Sequence, residues 1–126
     1  MYISNSFIVL AMLFCHIIDD YKLQGILASM KQKQWWKENA PQHLYKYDYL
    51  VALIMHSISW SFMIMLPIAL YNNFVLSTPF ITAFILNVVC HACVDDLKAN
   101  RRKINLIVDQ LIHVVQIAVT AIILLH

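Results

Sequence analysis

Residues Asn87–His113 read NVVCHACVDDLKANRRKINLIVDQLIH, and this stretch decides the fold. It joins the end of one apolar run to the start of the next through a basic turn, so it predicts a hairpin of two membrane helices. His91 and Asp95 lie near the end of the first run, and Asp109 and His113 lie near the start of the second. Ionisable residues inside a membrane are costly and usually functional. The hairpin therefore predicts a functional site at one depth in the membrane.

The composition is that of a membrane protein. Of the 126 residues, 61% are hydrophobic and 13% are charged, whereas a soluble domain is about a quarter charged. With one glycine and three prolines, helices are the only sensible spanning element. The net charge of +2 is too small to indicate a nucleic-acid partner. The first apolar run lacks a basic start and a cleavage pattern, so we predict a retained helix rather than a signal peptide.

Four apolar runs predict an all-α fold, an integral membrane four-helix bundle. Residues 1–126 form a single transmembrane domain, because no repeat, linker or low-complexity segment divides the chain. The predicted helices cover residues 2–24, 48–70, 75–97 and 104–125. The polar segment between the first two helices is rich in Lys, Trp and Tyr, which is typical of an interfacial segment along the lipid headgroups.

The basic residues predict the orientation. All nine Lys and Arg residues fall either at the facing ends of the first and second helices and the segment between them, or between the third and fourth helices. By the positive-inside rule these two connections are cytoplasmic and both termini lie outside. The expected location is the bacterial inner membrane, or the host membrane if a phage encodes the protein.

The His and Asp residues within the apolar runs form pairs at helical spacing. His16 with Asp20, His91 with Asp95, and Asp109 with His113 are each four residues apart and so share a helix face. Random placement would give roughly 0.6 such pairs in this chain, so three indicate a site. With His56 on the second helix, all seven residues fall within a layer about 10 Å thick.

Imidazole and carboxylate ligands suit divalent transition metals such as zinc, manganese or iron, and helix bundles hold two-metal sites in this way. Three carboxylates would be neutralised by two divalent ions and one hydroxide, which favours two ions over one. A single buried pair is more often an interhelix clamp than a ligand set. The predicted metal ligands are His16, Asp20, His56, His91, Asp95, Asp109 and His113, and the predicted polar residues around them are Gln24, Asn87 and Gln110.

Other polar residues have simpler interpretations. Asp19 and Asp96 lie off the shared helix faces and are expected to face the headgroups. Cys90 and Cys93 form a weak CxxC signal, because small residues at helical spacing are ordinary packing. Trp60, one turn beyond His56, is expected to be a packing residue.

The motifs together resemble a small membrane-protein family of bacteria and phages, the DUF3307-type domain of unknown function. The likeness is carried by His16-x3-Asp20-x3-Gln24, by a histidine in the second helix, by His91-x3-Asp95-x2-Lys98 and by Asp109-Gln110-x2-His113. The resemblance implies a four-helix membrane fold with a shared His and Asp set, and it brings no settled activity. A more distant likeness to membrane-bound metal-dependent hydrolases is an analogy. The long first connection and the lone histidine of the second helix depart from the family pattern.

The leading hypothesis is a metal-dependent hydrolase that acts on a phosphoester or lipid-linked substrate at the cytoplasmic leaflet. Lys98 and the neighbouring arginines would attract an anionic small molecule or lipid headgroup. Membrane lipid is the expected partner. The bundle contains no glutamate, so a metal-bound hydroxide or an aspartate would act as the base. The predicted catalytic residues are Asp20, Asp95, Asp109 and Lys98.

Two rival functions stay open at this stage. A divalent-ion or proton transporter or channel would use the same residues as a way station, but it needs polar lining in the outer half, where little is found. A non-enzymatic phage or bacterial membrane accessory protein would use the pairs only as interhelix contacts. The sequence leaves open whether the protein is an enzyme and whether a homo-oligomer completes the site.

Overall fold

The computed structural model describes residues 3–126, and within that range every element is helical. The predicted start of the first helix at Tyr2 lies outside the described residues. The longer helices begin and end within three residues of the other predicted bounds. In chain order the elements are α1 (Asn5–Ile18), a π-helix (Asp19–Leu23), α2 (Leu27–Met30), α3 (Lys33–Asn39), a 3-10 turn (His43–Tyr45), α4 (Asp48–Tyr71), α5 (Thr78–Ala99) and α6 (Leu106–Leu124).

Three helical segments are long and apolar enough to cross a membrane, namely His43–Tyr71, α5 and α6. This confirms an all-α protein with membrane-length helices. The α-helical part of α1 has 14 residues, and it continues directly into the π-helix of five residues. At 1.5 Å per residue the two together measure about 28 Å, close to the hydrocarbon thickness of about 30 Å. The fourth span stays a prediction.

Side-chain caps set where three helices begin. Ser4 accepts a hydrogen bond from the Phe7 N–H before α1, and Ser77 accepts one from the Phe80 N–H before α5. Asn105 accepts one from the Val108 N–H before α6, at 2.9 Å. Each cap satisfies one of the N–H groups that a first turn leaves without a partner.

The four long helical segments close into a ring, with α4 against α1 and α5, and α6 against α5 and α1. Apolar side chains including Met12, Ile64 and Ile117 fill one half of the interior. The other half, which we call the polar end, holds the buried His and Asp residues. Large apolar side chains such as Phe14 and Ile107 are exposed on the outside. Apolar side chains on the outside and ionisable side chains in the interior are the pattern expected of a protein in lipid.

Candidate metal centre

The structure gathers five of the seven predicted metal ligands into two overlapping groups. Within each group, the candidate ligand atoms lie within 4.8 Å of one another and all the residues are buried. His91 belongs to both groups, so the two positions are neighbours. The first group is Asp20, His56 and His91, and the second is His91, Asp95 and His113.

The first group has the dimensions of an ion site with three protein ligands. His56 Nε2 lies 3.2 Å from His91 Nε2 and 3.3 Å from Asp20 Oδ1. Asp95 Oδ2 lies 3.5 Å from His56 Nε2 and 3.7 Å from His91 Nε2, and His91 Nε2 lies 4.0 Å from Asp20 Oδ1. Ligands at 2.0–2.1 Å around tetrahedral zinc are about 3.3 Å apart. The three atoms of the first group, 3.2–4.0 Å apart, are therefore near the spacing that such an ion requires. Asp95 Oδ2 lies beside them, in contact with Lys31.

A second position lies on the far side of Asp95. Its other oxygen, Oδ1, is 3.7 Å from His113 Nε2, and Asp109 Oδ1 is 3.4 Å from that same nitrogen. Asp109 thus joins the cluster next to the second group. Because the two oxygens of Asp95 face different histidines, this carboxylate could bridge two ions.

Ring stacking fixes the orientation of His91, the histidine that belongs to both ligand groups. The His91 ring stacks on Trp60 and on His113, with 4.2 Å between ring centroids in both cases. Gln116 Oε1 lies 3.1 Å from His113 Nδ1, so the other nitrogen of His113 is left to face Asp95 and Asp109. Such outer partners fix the ring orientation of metal-binding histidines.

His16 lies outside both ligand groups in this structure. Its Nδ1 accepts a hydrogen bond from Trp60 Nε1 at 2.8 Å, and its Nε2 lies 3.1 Å from Gln110 Oε1. Both ring nitrogens are therefore engaged. Gln110 in turn donates to Asp20 Oδ2 at 3.2 Å and to Asp109 Oδ2 at 3.0 Å. Trp60 is thus a polar partner as well as the packing residue that the sequence indicated.

Asp19 is completely buried, with 0% exposure, so the expectation that it faces the headgroups is wrong. The reason is the π-helix, which has an extra residue in its turn and so lets Asp19 and Asp20 both point inward. Asp19 Oδ1 accepts a hydrogen bond from Ser59 Oγ at 2.6 Å. Its Oδ2 lies 3.6 Å from His56 Nδ1, on the side of the ring opposite the ligand nitrogen. Asp19 is placed to orient His56.

Two lysines reach the cluster, Lys98 from the last turn of α5 and Lys31 from the first connection. Lys98 Nζ lies 2.6 Å from Asp109 Oδ2. Lys31 Nζ lies 2.6 Å from Asp95 Oδ2 and donates to Gln24 Oε1 at 3.0 Å. Lys31 is only 7% exposed, although the sequence placed it in the interfacial segment. No periodic pattern could have indicated it, because it comes from a non-helical bend.

The bend is held by specific hydrogen bonds. Asn100, after the end of α5, donates to the Lys31 carbonyl at 3.0 Å and accepts from the Lys33 N–H at 2.7 Å. Trp36 Nε1 donates to the Met30 carbonyl at 2.7 Å. The first connection is therefore tied to the polar end of the bundle.

The remaining predicted polar residues lie around the cluster. Gln24 contacts the Asp20 carbonyl and Lys31. Asn87 lies one turn farther from the polar end, where it donates to Thr120 Oγ1 at 2.8 Å and accepts from Gln116 at 3.3 Å. Asn87 therefore supports the ligands only through Gln116.

The formal charges at the polar end do not cancel. With every histidine counted as neutral, as a metal ligand must be, the cluster includes four carboxylates and two ammonium groups, which leaves two negative charges in a buried setting. Net buried charge is costly, and one divalent cation would cancel it. The carboxylates are Asp19, Asp20, Asp95 and Asp109, and the ammonium groups are Lys31 and Lys98.

Several buried polar atoms in the cluster find no hydrogen-bond partner among residues 3–126. His113 Nε2 and Asp109 Oδ1 are both without one, although they face each other. The others in the cluster are Asp19 Oδ2, His56 Nδ1 and His91 Nδ1. Buried polar atoms are normally satisfied, so this concentration is a specific reason to expect an ion or ordered water here.

The fold and site together define an all-helical chain that has membrane-length helices and a buried His and Asp cluster able to hold a divalent metal ion. No protein-family model, no curated protein and no solved structure matches this chain. The resemblance to the DUF3307-type family stays a prediction.

Proposed function

We propose that this protein is a membrane-embedded, metal-dependent hydrolase that acts on a phosphoester or lipid-linked substrate. The observation that carries the proposal is the set of three buried ligand atoms from three helices, Asp20 Oδ1, His56 Nε2 and His91 Nε2. Three protein ligands leave the fourth position of a tetrahedral ion open for water. An ion bound there would act as a Lewis acid and generate hydroxide from a bound water near neutral pH. Zinc, manganese and iron suit the mixed His and Asp ligands.

The number of ions that we propose follows from the net charge of the buried cluster. With both lysines in place, one divalent ion neutralises the four carboxylates. Asp95 Oδ1, Asp109 Oδ1 and His113 Nε2 could hold a second ion, but with both ammonium groups present it would leave the buried cluster with excess positive charge. We therefore propose one resident ion, and a second only when the lysines move.

The chain's own residues would perform the remaining tasks. Asp109 Oδ1 accepts no hydrogen bond among the described residues, which makes it our candidate for taking the proton of the attacking water. The hydroxide oxygen would form a bond to phosphorus as the ester P–O bond breaks, and the leaving oxygen would take up a proton to replace the one that Asp109 accepted and then released to solvent. The Lys98 side chain is 30% exposed, so its ammonium group could also contact an anionic substrate.

The membrane arrangement is part of the proposal. We propose four spans, with α1 and the π-helix forming the first. Both termini would lie outside, and both basic connections would lie on the cytoplasmic side, because all nine Lys and Arg residues lie in those connections or in the helical turn just before them. The metal centre would then lie at the cytoplasmic leaflet of a bacterial inner membrane or a phage host's membrane.

A specific observation favours transport as the second candidate function. Hydrogen-bonded side chains run from His113 through Gln116 and Asn87 to Thr120, away from the polar end. Such a chain could relay protons or ions. Against it, the buried apolar cluster that includes Ile68 and Phe80 closes the interior beyond it.

The test begins with detergent-purified protein loaded with zinc or manganese, assayed on phosphomonoester, phosphodiester and lipid-phosphate substrates. Asp95→Asn should abolish hydrolysis and Asp96→Asn should not, because Asp96 contacts Asn100 and Arg101 instead of the cluster. Metal binding without hydrolysis, together with ion flux in liposomes, would replace the proposal with transport. A folded wild type that binds no metal would leave only a structural role for the pairs.

A further inference from the structure

A second polar feature lies outside the metal centre, in the first connection. A cleft of about 380 Å³ opens between α3 and the beginning of α4. Its walls combine lysines with aromatic rings, and we call it the basic aromatic cleft. The residues that define it are Lys33, Trp36, Lys37, Tyr45, Lys46, Tyr47 and Tyr49.

The three lysines of the cleft bring positive charge without a counter-ion. Among residues 3–126, Lys33, Lys37 and Lys46 form no ion pair with a carboxylate. Lys33 Nζ lies 4.8 Å from the centre of the Tyr49 ring, and Lys46 Nζ lies 5.2 Å from the centre of the Tyr47 ring. These cation–π contacts hold the ammonium groups against the wall. Three unpaired cations around one cleft form a site for an anion.

The aromatic wall is already assembled. The Trp36 ring stacks on Tyr45 with 6.2 Å between centroids and meets Trp35 edge-on at 5.0 Å. The indole N–H of Trp36 is fixed by the Met30 carbonyl. A ligand would therefore meet a preformed cleft, which lowers the ordering cost of binding.

We propose that the basic aromatic cleft binds the phosphate of an anionic phospholipid headgroup. The cleft lies at the beginning of the membrane-length segment His43–Tyr71. Leu44 and Tyr47 beside it are 78% and 61% exposed, so apolar surface is available for the acyl region next to the charged cleft. Clustered lysines at a membrane surface attract anionic lipid, and Trp and Tyr prefer the same depth. The proposal does not depend on the metal centre, with which the cleft shares no residue.

The test uses native mass spectrometry of full-length protein with phosphatidylglycerol or phosphatidylcholine in detergent. The cleft variant is Lys33→Gln, Lys37→Gln and Lys46→Gln combined. The charge-matched control is Lys22→Gln, Arg102→Gln and Lys103→Gln, at exposed positions outside the cleft. Wild type and control should retain one phosphatidylglycerol in preference to phosphatidylcholine, and the cleft variant should lose that preference about tenfold or more.

Helical circular dichroism checks that each variant is folded. Retention of phosphatidylglycerol by the cleft variant at the wild-type level would overturn the proposal, and so would an equal loss in the control. A further series adds inorganic phosphate to the wild type. Displacement of the lipid by millimolar phosphate would identify soluble phosphate as the ligand and overturn the assignment to lipid. Because no step requires a metal, the result is separate from the hydrolase test.

Discussion

Replacing both cluster lysines should change the number of metal ions that the protein holds. The perturbation is Lys31→Met combined with Lys98→Met, which keeps the side-chain length and removes two positive charges. Their ammonium groups lie 2.6 Å from Asp95 and from Asp109. Without them, four carboxylates need two divalent ions instead of one. We expect about one ion per chain in the wild type and about two in the double variant.

The same double variant should also lower the free energy of unfolding. Losing one partner of a buried ion pair costs about 3–5 kcal/mol, and the Lys31–Asp95 pair is buried on both sides. Lys98 is partly exposed, so its loss should cost less. In chelator, the double variant should therefore unfold at a clearly lower temperature than the wild type. Metal at 100 times its Kd should restore about 2.7 kcal/mol for each site filled.

The assay is elemental analysis of metal per chain after removal of unbound metal, beside thermal unfolding in detergent with and without chelator. Lys22→Met combined with Lys103→Met is the control, because both lysines are exposed and outside the cluster. One ion in both the double variant and the wild type would refute the charge argument. Two ions in the wild type, with both lysines unchanged, would refute it equally.

Three further results follow from the geometry. Asp19→Asn should keep the number of bound ions but weaken the metal affinity about 10–100-fold, as measured by competition with a chelator, because it removes the carboxylate behind His56. An unchanged metal affinity would mean that Asp19 does not orient the His56 ring. Trp60→Phe should lower unfolding stability by about 1–3 kcal/mol through the lost hydrogen bond to His16 and keep the metal; unchanged stability would contradict this, and loss of the metal would show that Trp60 positions His91, on which it stacks. Thr120→Val should leave metal-dependent hydrolysis unchanged, whereas abolished ion flux in liposomes would support transport.

Helical periodicity was enough to predict most of the cluster. His91 with Asp95 and Asp109 with His113 share faces simply because they are four residues apart on helices that the apolar runs identify. The Ser77 cap before α5 and the polar turn after it keep the ends of this helix close to those that the apolar pattern predicts. Where regular α-helix continues, sequence spacing therefore predicts which side chains meet.

Two residues that sequence reasoning missed or misplaced, Asp19 and Lys31, lie where regular helix ends. Asp19 is turned inward by a π-helix, whose extra residue shifts the face of the chain. Lys31 enters through a bend that Asn100 holds from a different part of the chain. His16 matches the helical spacing, yet contacts with Trp60 and Gln110 engage both its nitrogens. Each of these depends on tertiary contacts that no local pattern contains.

These missed residues change the chemical expectation as well as the residue list. Counting only the carboxylates at helical spacing gives three negative charges and favours two ions with a hydroxide. The structure adds the Asp19 carboxylate and places the Lys31 and Lys98 ammonium groups against Asp95 and Asp109. The same requirement for neutrality in a buried site then favours one ion. The two ammonium groups thus supply the positive charge that a second divalent cation would bring. A substrate that draws them away from Asp95 and Asp109 would allow a second cation to bind.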